Sequence, residues 1–474
     1  MKKMRLFSIS RHLIGVIALG VFSPWVIASS ALPIEVEKAL MAQQIDRSQL
    51  AVHVVDLERS ESILAWQADK SVVPASSVKI VTTLAALETL GPAFQWKTGF
   101  YHDGTIQKGV LKGNLYFVGG GDPRYVAEHL WRDVHTLKAL GIRQIAGDIV
   151  VDRSLFSASQ SPSSFDGQNH RPYNLGADAA LFNFNSVVIR FMPDEQAGVA
   201  HVSALPLQTG IQLPKTVPMA AGWCPGWRNQ LKADVTNPLK PMFKGTFVKG
   251  CGERQLTYVV KDRDAYLSRS FAAQMKEAGI VWKGKVKSGL KAAKAKRLFE
   301  SASDDLATTV RLTNKFSNNI LARHLFLSLA LPQKASGVDY VDARAVMDRW
   351  LEDQVGLAPR MITVDNGSGL SRDSQVTAKA MTQVLAYGAR SPWSHEWISS
   401  FPIAGHDGTM KRRPMREGSA HMKTGLLSGV KTMAGIVQGE NGRRYAVFAS
   451  LEGKNVSQGD AILDAITHWI GAQK

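Results

Sequence analysis

Three short clusters of residues in this chain carry side chains able to do nucleophilic chemistry on a carbonyl. The first is Pro74-Ala-Ser-Ser-Val-Lys79, where Ser76 and Lys79 stand three positions apart. At the start of a helix that spacing puts both side chains on one face, within reach of each other. Backbone N–H groups and the helix dipole disfavour an ammonium there, and burial adds to the effect. Lys79 is therefore expected to be neutral and to act as general base on the Ser76 hydroxyl. Ser77 has no lysine at the matching offset. The spacing alone is not specific, because Ser288-Gly-Leu-Lys291 and Ser428-Gly-Val-Lys431 satisfy it as well, and about two such matches arise by chance in a chain of this size. Only Ser76 leads into a long apolar helix, with Ile80, Leu84, Leu87 and Leu90 at helical spacing before Gly91.

The second cluster is Ser317-Asn318-Asn319, between two segments of helical pattern, Leu306 to Lys315 and Ile320 to Leu331. A hydroxyl and an amide two residues apart in a tight turn can face one pocket, Ser317 passing a proton toward a leaving amine and Asn319 bonding a substrate backbone. Taken alone, the triplet reads as an ordinary helix cap. The third cluster is Lys423-Thr424-Gly425. Lys423 supplies positive charge for a carboxylate and depresses Lys79 further, Thr424 donates a hydrogen bond, and Gly425 lets an extended peptide approach a strand edge. Alone it is also an ordinary turn before a strand.

Around these clusters, the pattern predicts strands over residues 50–57 and 62–67 ahead of the Ser76 helix. Further strands are predicted over 432–437 and 445–451, around the hairpin signal Asn441-Gly442. A last amphipathic helix carries Ile462, Ile466 and Trp469. Strands from both ends of the chain are thus expected to share one antiparallel sheet covered by helices. Between them, residues 95–300 are rich in glycine, proline and short strands. An internal echo stands out, Leu137-Lys-Ala-Leu-Gly-Ile142 before Gly147-Asp-Ile-Val-Val151 and Met275-Lys-Glu-Ala-Gly-Ile280 before Gly284-Lys-Val286. Each half reads as a helix closed by glycine and leading into a strand. Two copies are too few for a solenoid.

The 474 residues, 45% of them apolar, call for two or three globular domains. Lys2, Lys3, Arg5 and Arg11, the apolar run from Leu13 to Ile27, and Ala28-Ser-Ser-Ala31 read as a cleaved export signal over residues 1–31, with an uncleaved anchor as the alternative. The formal charge of +17 falls to +13 without the four basic residues of that leader, a balance that favours anionic partners such as wall polymers or phospholipid headgroups. Nucleic acid is not expected, for no zinc spacing, RNP-like motif or basic heptad helix is present. No metal or cofactor is called for. The two cysteines, Cys224 and Cys251, either form a bridge or stay free. His406 and His421 are expected to be packing or surface groups rather than bases.

In the order Ser-x-x-Lys, Ser-x-Asn, Lys-Thr-Gly, the three clusters resemble the signature of the serine penicillin-recognising enzymes. The 238 residues from Lys79 to Ser317 are similar to the long spacing of the class C low-molecular-mass penicillin-binding proteins, the D-alanyl-D-alanine carboxypeptidase/endopeptidases. Flanking phrases agree: Gly121-Asp-Pro123, Gly147 to Asp152 with Phe156, Asn366-Gly-Ser-Gly-Leu-Ser-Arg372, and Gly408-Thr409. The resemblance implies an α+β fold, with a β-lactamase/transpeptidase-like domain from residues 32–94 and 301–474 and an insertion over 95–300, read as two nested subdomains. It implies an exported, periplasmic enzyme acting on peptidoglycan stem peptides, with β-lactams as covalent inhibitors and peripheral contact with an anionic membrane surface as a further expectation. Ser76 would be acylated, Lys79 and Ser317 would move protons, and Asn319, Lys423, Thr424 and Gly425 would position the peptide. The backbone N–H groups of Ser76 and Leu426 would form the oxyanion hole. Asp152, Phe156, Arg372, Leu427 and Ser428 match positions that hold the stem's side-chain terminus, where a zwitterion would meet one carboxylate and one guanidinium. Two departures stand out: Asn318 where Asp is common, and Leu426 where Ser or Thr is frequent. The alternatives are a β-lactamase, which differs in how fast water clears the acyl-enzyme, and a non-catalytic wall-binding protein.

Overall fold

The computed structural model describes residues 31–157, 165–167, 171–416 and 418–474. The export signal expected over residues 1–31 lies, but for its last residue, outside them. No helix among the described residues is long and apolar enough to cross a membrane.

The ends of the chain meet in one five-stranded antiparallel sheet, in the order Glu61–Trp66, Leu50–Asp56, Arg444–Glu452, Val430–Gln438, Ala420–Leu427. Val52 faces Ala449 across the first joint between the two ends. Alternation along Arg444–Glu452 sends Ala446 and Phe448 into a core shared with the helices Lys79–Leu90 and Ala378–Gly388, and Val447 and Ala449 into a second core under the terminal helices Ile34–Ala42 and Asp460–Gly471. Burial on both faces explains why this strand is apolar throughout rather than alternating.

The helix behind Ser76 begins later than its pattern predicts. Residues Ala75–Val78 form a tighter 3-10 turn, and the α-helix proper runs Lys79–Leu90, ending at Gly91 with φ +81°. In a 3-10 turn, positions three apart eclipse each other, so the tighter winding lines Ser76 up with Lys79. The helix is buried from Lys79 through Leu87.

Residues 97–302 build further sheets around a separate hydrophobic core that includes Phe100, Phe117, Phe191 and Phe271. One sheet has the order Val286–Ser288, Ile149–Asp152, Leu115–Val118, Lys97–His102, Lys296–Ala302, and another runs Phe247–Val248, Thr216–Ala220, Val199–Leu205, Ser186–Asp194, Arg254–Val259. The sequence echo has a structural counterpart. The helices Ala127–Ala139 and Arg263–Ala278 pack on each other, glycines in positive φ follow them, and the strands that come next pair in parallel, Val281–Trp282 with Gln144–Ile145 and Val286–Ser288 with Ile149–Asp152. Cys224 and Cys251 are joined by a disulfide, their Cα atoms 5.4 Å apart.

Candidate active site

Ser76 sits on its turn because neighbouring elements hold that turn tightly. Ala75, just before it, takes a positive φ of 46°, a conformation that a non-glycine residue keeps only where the surroundings over-determine it. Two glycines let those surroundings close in. A Cβ on Gly369 would lie 1.9 Å from the Ala75 carbonyl oxygen, and one on Gly425 would lie 2.2 Å from Thr432 Oγ1 and 2.9 Å from the Pro74 carbonyl oxygen. Gly425 thus serves the packing of the edge strand Ala420–Leu427 against the Ser76 turn. The Thr432 hydroxyl completes the clamp by donating to Pro74 O at 2.8 Å.

Lys79 Nζ lies 2.8 Å from Ser76 Oγ, 2.8 Å from Asn319 Oδ1 and 2.5 Å from the Ser368 carbonyl oxygen. Burial pushes its pKa well down, and the charges of Lys423 and Arg323 add to this. Burial is the leading cause. A neutral amine has two N–H groups and one lone pair. Asn319 Oδ1 and Ser368 O are acceptors only and take the two N–H groups, so the lone pair is left to accept the proton of Ser76.

Ser317 stands in left-handed backbone conformation, φ 54°, which turns the chain between the helices Leu306–Lys315 and Asn319–Ser328. The Ser-Asn-Asn triplet divides between two kinds of contact. Asn318 is the helix cap, its Oδ1 accepting from Ile320 N at 2.9 Å and Leu321 N at 3.1 Å, while Ser317 and Asn319 reach inward. Asn319 Nδ2 also donates to Tyr173 O, at 3.3 Å. Lys423 Nζ donates to Ser317 Oγ at 2.9 Å and to Thr424 O at 2.6 Å. Burial lowers its pKa to about 7. Thr424 Oγ1 is 2.9 Å from Thr409 Oγ1, and Leu426 projects into solvent.

The residues matched to a side-chain pocket divide. Arg372 Nη2 donates to Ser428 O at 2.6 Å, its guanidinium lies 6.0 Å from the Phe165 ring centre, and Leu427 is buried in a small cluster with Ala75, Val430, Phe165 and Leu370. Asp152 is buried at the end of its strand, where its carboxylate accepts from Ser154 N at 2.9 Å and Lys291 N at 2.7 Å. Burial alone would raise its pKa, but these bonds outweigh it and the carboxyl stays below its usual range. Phe156 packs edge-on against His324, ring centres 5.6 Å apart. No ion pair joins Asp152 to Arg372 among the described residues. Nor do the described residues hold a group of three or more His, Cys, Asp or Glu side chains able to bind a metal ion.

The sequence offered Ser368 and Thr409 only within flanking phrases and gave neither a role: the Ser368 carbonyl oxygen fixes Lys79, and Thr409 meets Thr424. The signal for the first was the Gly-Ser-Gly run: Gly367 and Gly369 both take positive φ, and Asn366 Oδ1 accepts from Ser368 N at 3.0 Å.

Residues 32–473 match the model of the D-Ala-D-Ala carboxypeptidase 3 (S13) family. The chain belongs to that family. As an S13 member it is a serine-type D-alanyl-D-alanine carboxypeptidase and a penicillin-binding protein of the low-molecular-mass class C. It is 28% identical to the D-alanyl-D-alanine carboxypeptidase DacB of Haemophilus influenzae over 84% of each chain. With the D-alanyl-D-alanine carboxypeptidase of an Actinomadura species it shares 26% identity over 86% of this chain and 78% of the relative. The S13 fold here is similar to the crystal structure of penicillin binding protein 4 of H. influenzae, with a TM-score of 0.74 at 24% identity over 93% of this chain and all of that one. A structure of the same protein complexed with a β-lactam gives a TM-score of 0.71 at 26% identity over the same shares of each chain.

Proposed function

We propose that Ser76 is the acylation centre of this carboxypeptidase and Lys79 its general base, the 2.8 Å approach of Lys79 Nζ to Ser76 Oγ in a buried site being the observation that carries the reading. Lys79 takes the hydroxyl proton as Oγ attacks the carbonyl of a D-alanyl-D-alanine end. The N–H groups of Ser76 and Leu426 receive the oxyanion, donors of a kind worth about 3 to 4 kcal/mol each. The proton held on Lys79 passes by way of Ser317, bonded to Lys423, to the leaving D-alanine amine, and water then hydrolyses the acyl-enzyme and restores the Ser76 hydroxyl. Asn319 and Thr424 hold the peptide backbone. Lys423 attracts the terminal carboxylate, Gly425 keeps the strand edge close, and Asp152, Phe156, Arg372, Leu427 and Ser428 flank the stem side chain.

The same acyl step serves D-alanyl crosslinks, which we include as a second substrate. β-Lactams are the covalent inhibitors, as the β-lactam complex of the 26% identical relative supports. We place the protein in the periplasm, with residues 1–31 as its export signal, residues 32–94 and 301–474 as the catalytic domain and 95–300 as two nested subdomains. Seven lysines and arginines between Lys283 and Arg297, around the exposed Leu290, support peripheral contact with an anionic surface. The test is Ser76→Ala against the native protein. A folded variant that neither releases D-alanine nor is labelled by a fluorescent penicillin is the expected result, and one that keeps either property overturns the assignment.

A further inference from the structure

A cavity of about 870 Å³ opens between the helices Ala127–Ala139 and Arg263–Ala278 and the strands Ser186–Asp194 and Val199–Leu205, elements that pack in a different core from the Ser76 turn. None of the residues that line it belongs to the acylation site, and its volume is that of a small-molecule site. Its walls differ in character. One is apolar, formed by Trp131, 48% exposed, with Leu205 and Leu207, 46% and 50% exposed. The Trp131 ring is held in place by the His135 ring, 4.3 Å away between centres.

The other wall is polar and unsatisfied. Gln274 is 6% exposed, lines the cavity, and its Oε1 has no hydrogen-bond partner among the described residues. A buried amide oxygen left without a donor costs about 1–3 kcal/mol, a cost that a ligand hydroxyl or N–H would remove once the amide turns toward it. His129 accepts Val126 N–H at its Nδ1, 3.3 Å away. Burial and then Arg132 keep its pKa down, so the ring is neutral and its remaining Nε2–H is a donor.

The charge at the cavity selects among ligands. Its two arginines are neutralised by their own carboxylates, Arg132 by Asp133 at 3.3 Å and Arg190 by Glu253 at 2.8 Å. Glu128 and Glu277, also in the lining, make no ion pair among the described residues. An anionic ligand is therefore disfavoured. What fits is a neutral, amphipathic ring with one apolar face and a rim of hydroxyl and amide groups, which is the chemistry of an N-acetylated amino sugar. The apolar face would lie on Trp131, and its N–H or hydroxyls would meet Gln274 Oε1 and the two carboxylates.

We propose that this cavity binds N-acetylated amino sugars of the glycan strand, so that the enzyme holds the polymer while Ser76 works on its peptides. The polymer's identity rests on the function proposed above; the sugar chemistry rests on the cavity alone. The test is calorimetric titration of the full-length protein with tetra-N-acetylchitotetraose. Saturable binding is expected, weakened about tenfold or more in both Trp131→Ala and Gln274→Leu. Both variants should release D-alanine from a soluble pentapeptide at the native rate and from intact sacculi several-fold more slowly. Absence of saturable heat with the native protein, native affinity in Trp131→Ala, or undiminished turnover of sacculi by a variant that no longer binds the tetrasaccharide would each overturn the proposal. A native protein inactive on the pentapeptide would instead defeat the peptidase reading, since the titration needs no turnover.

Discussion

Two buried lysines stand in one site and the same burial acts on both, yet their partners give them different work. Lys79 has two acceptors and one hydroxyl, so a neutral amine satisfies its surroundings fully. Lys423 has the Ser317 hydroxyl and one carbonyl oxygen, and with a pKa near 7 it carries charge at the acid end of the working range. That pKa sets the sign of the pH dependence. Below about 7 Lys423 is cationic and, in the role proposed for it, would attract a substrate carboxylate. Above it the charge is lost, so KM for a D-alanyl-D-alanine peptide should rise with pH through that point. Lys423→Arg, cationic throughout, should lose this alkaline limb whatever it does to the maximum rate, and a KM profile between pH 6 and pH 9 measures it.

At the scale of elements, the turn at Ser317 to Asn319 separates two roles that neighbouring asparagines share out. Asn318→Ala removes a cap from the helix Asn319–Ser328 and should cost about 1 kcal/mol in a denaturation curve, with acylation by penicillin changed little. Asn319→Ala leaves Lys79 without one of its two acceptors. It should slow acylation at least tenfold, by stopped-flow with a reporter β-lactam, while the melting temperature moves less than in a core truncation. The split was only half legible in the sequence. A helix cap and the proposed catalytic triplet use the same residue types, and the difference lies in the positive φ of Ser317, which points Asn319 and Asn318 to different partners. Gly369 and Gly425 belong to the same scale: both are small because backbone passes where a side chain would be.

For the whole molecule, the disulfide and the proposed acylation centre lie in different cores, Cys251 in the core of residues 97–302 and Ala75, beside Ser76, in a small cluster with Leu427 and Val430. The bridge spans 27 positions, worth about 3.5 kcal/mol in the chain-entropy account. Cys224→Ser with Cys251→Ser should therefore lower the unfolding temperature of the insertion while leaving the rate of penicillin labelling within about twofold of native. Loss of labelling at a temperature where the variant remains folded would show that the two cores are coupled.

What the sequence by itself determined was local or periodic: the strands that bracket Ser76, the hairpin at Asn441-Gly442, the helix pair of the echo, and the three clusters with their order. These arise from side-chain period and turn chemistry, which are written within a few residues. Tertiary structure decided which of three Ser-x-x-Lys matches lies in a buried site. It also brought Ser368 to Lys79 across 289 positions and joined strands 50–56 to 444–452. It closed both oxygens of Asp152 on backbone N–H groups. A contact between residues hundreds of positions apart leaves no period in either segment. Burial, which sets the charge of Lys79 and Lys423, is a property of everything packed around a residue rather than of the residue itself.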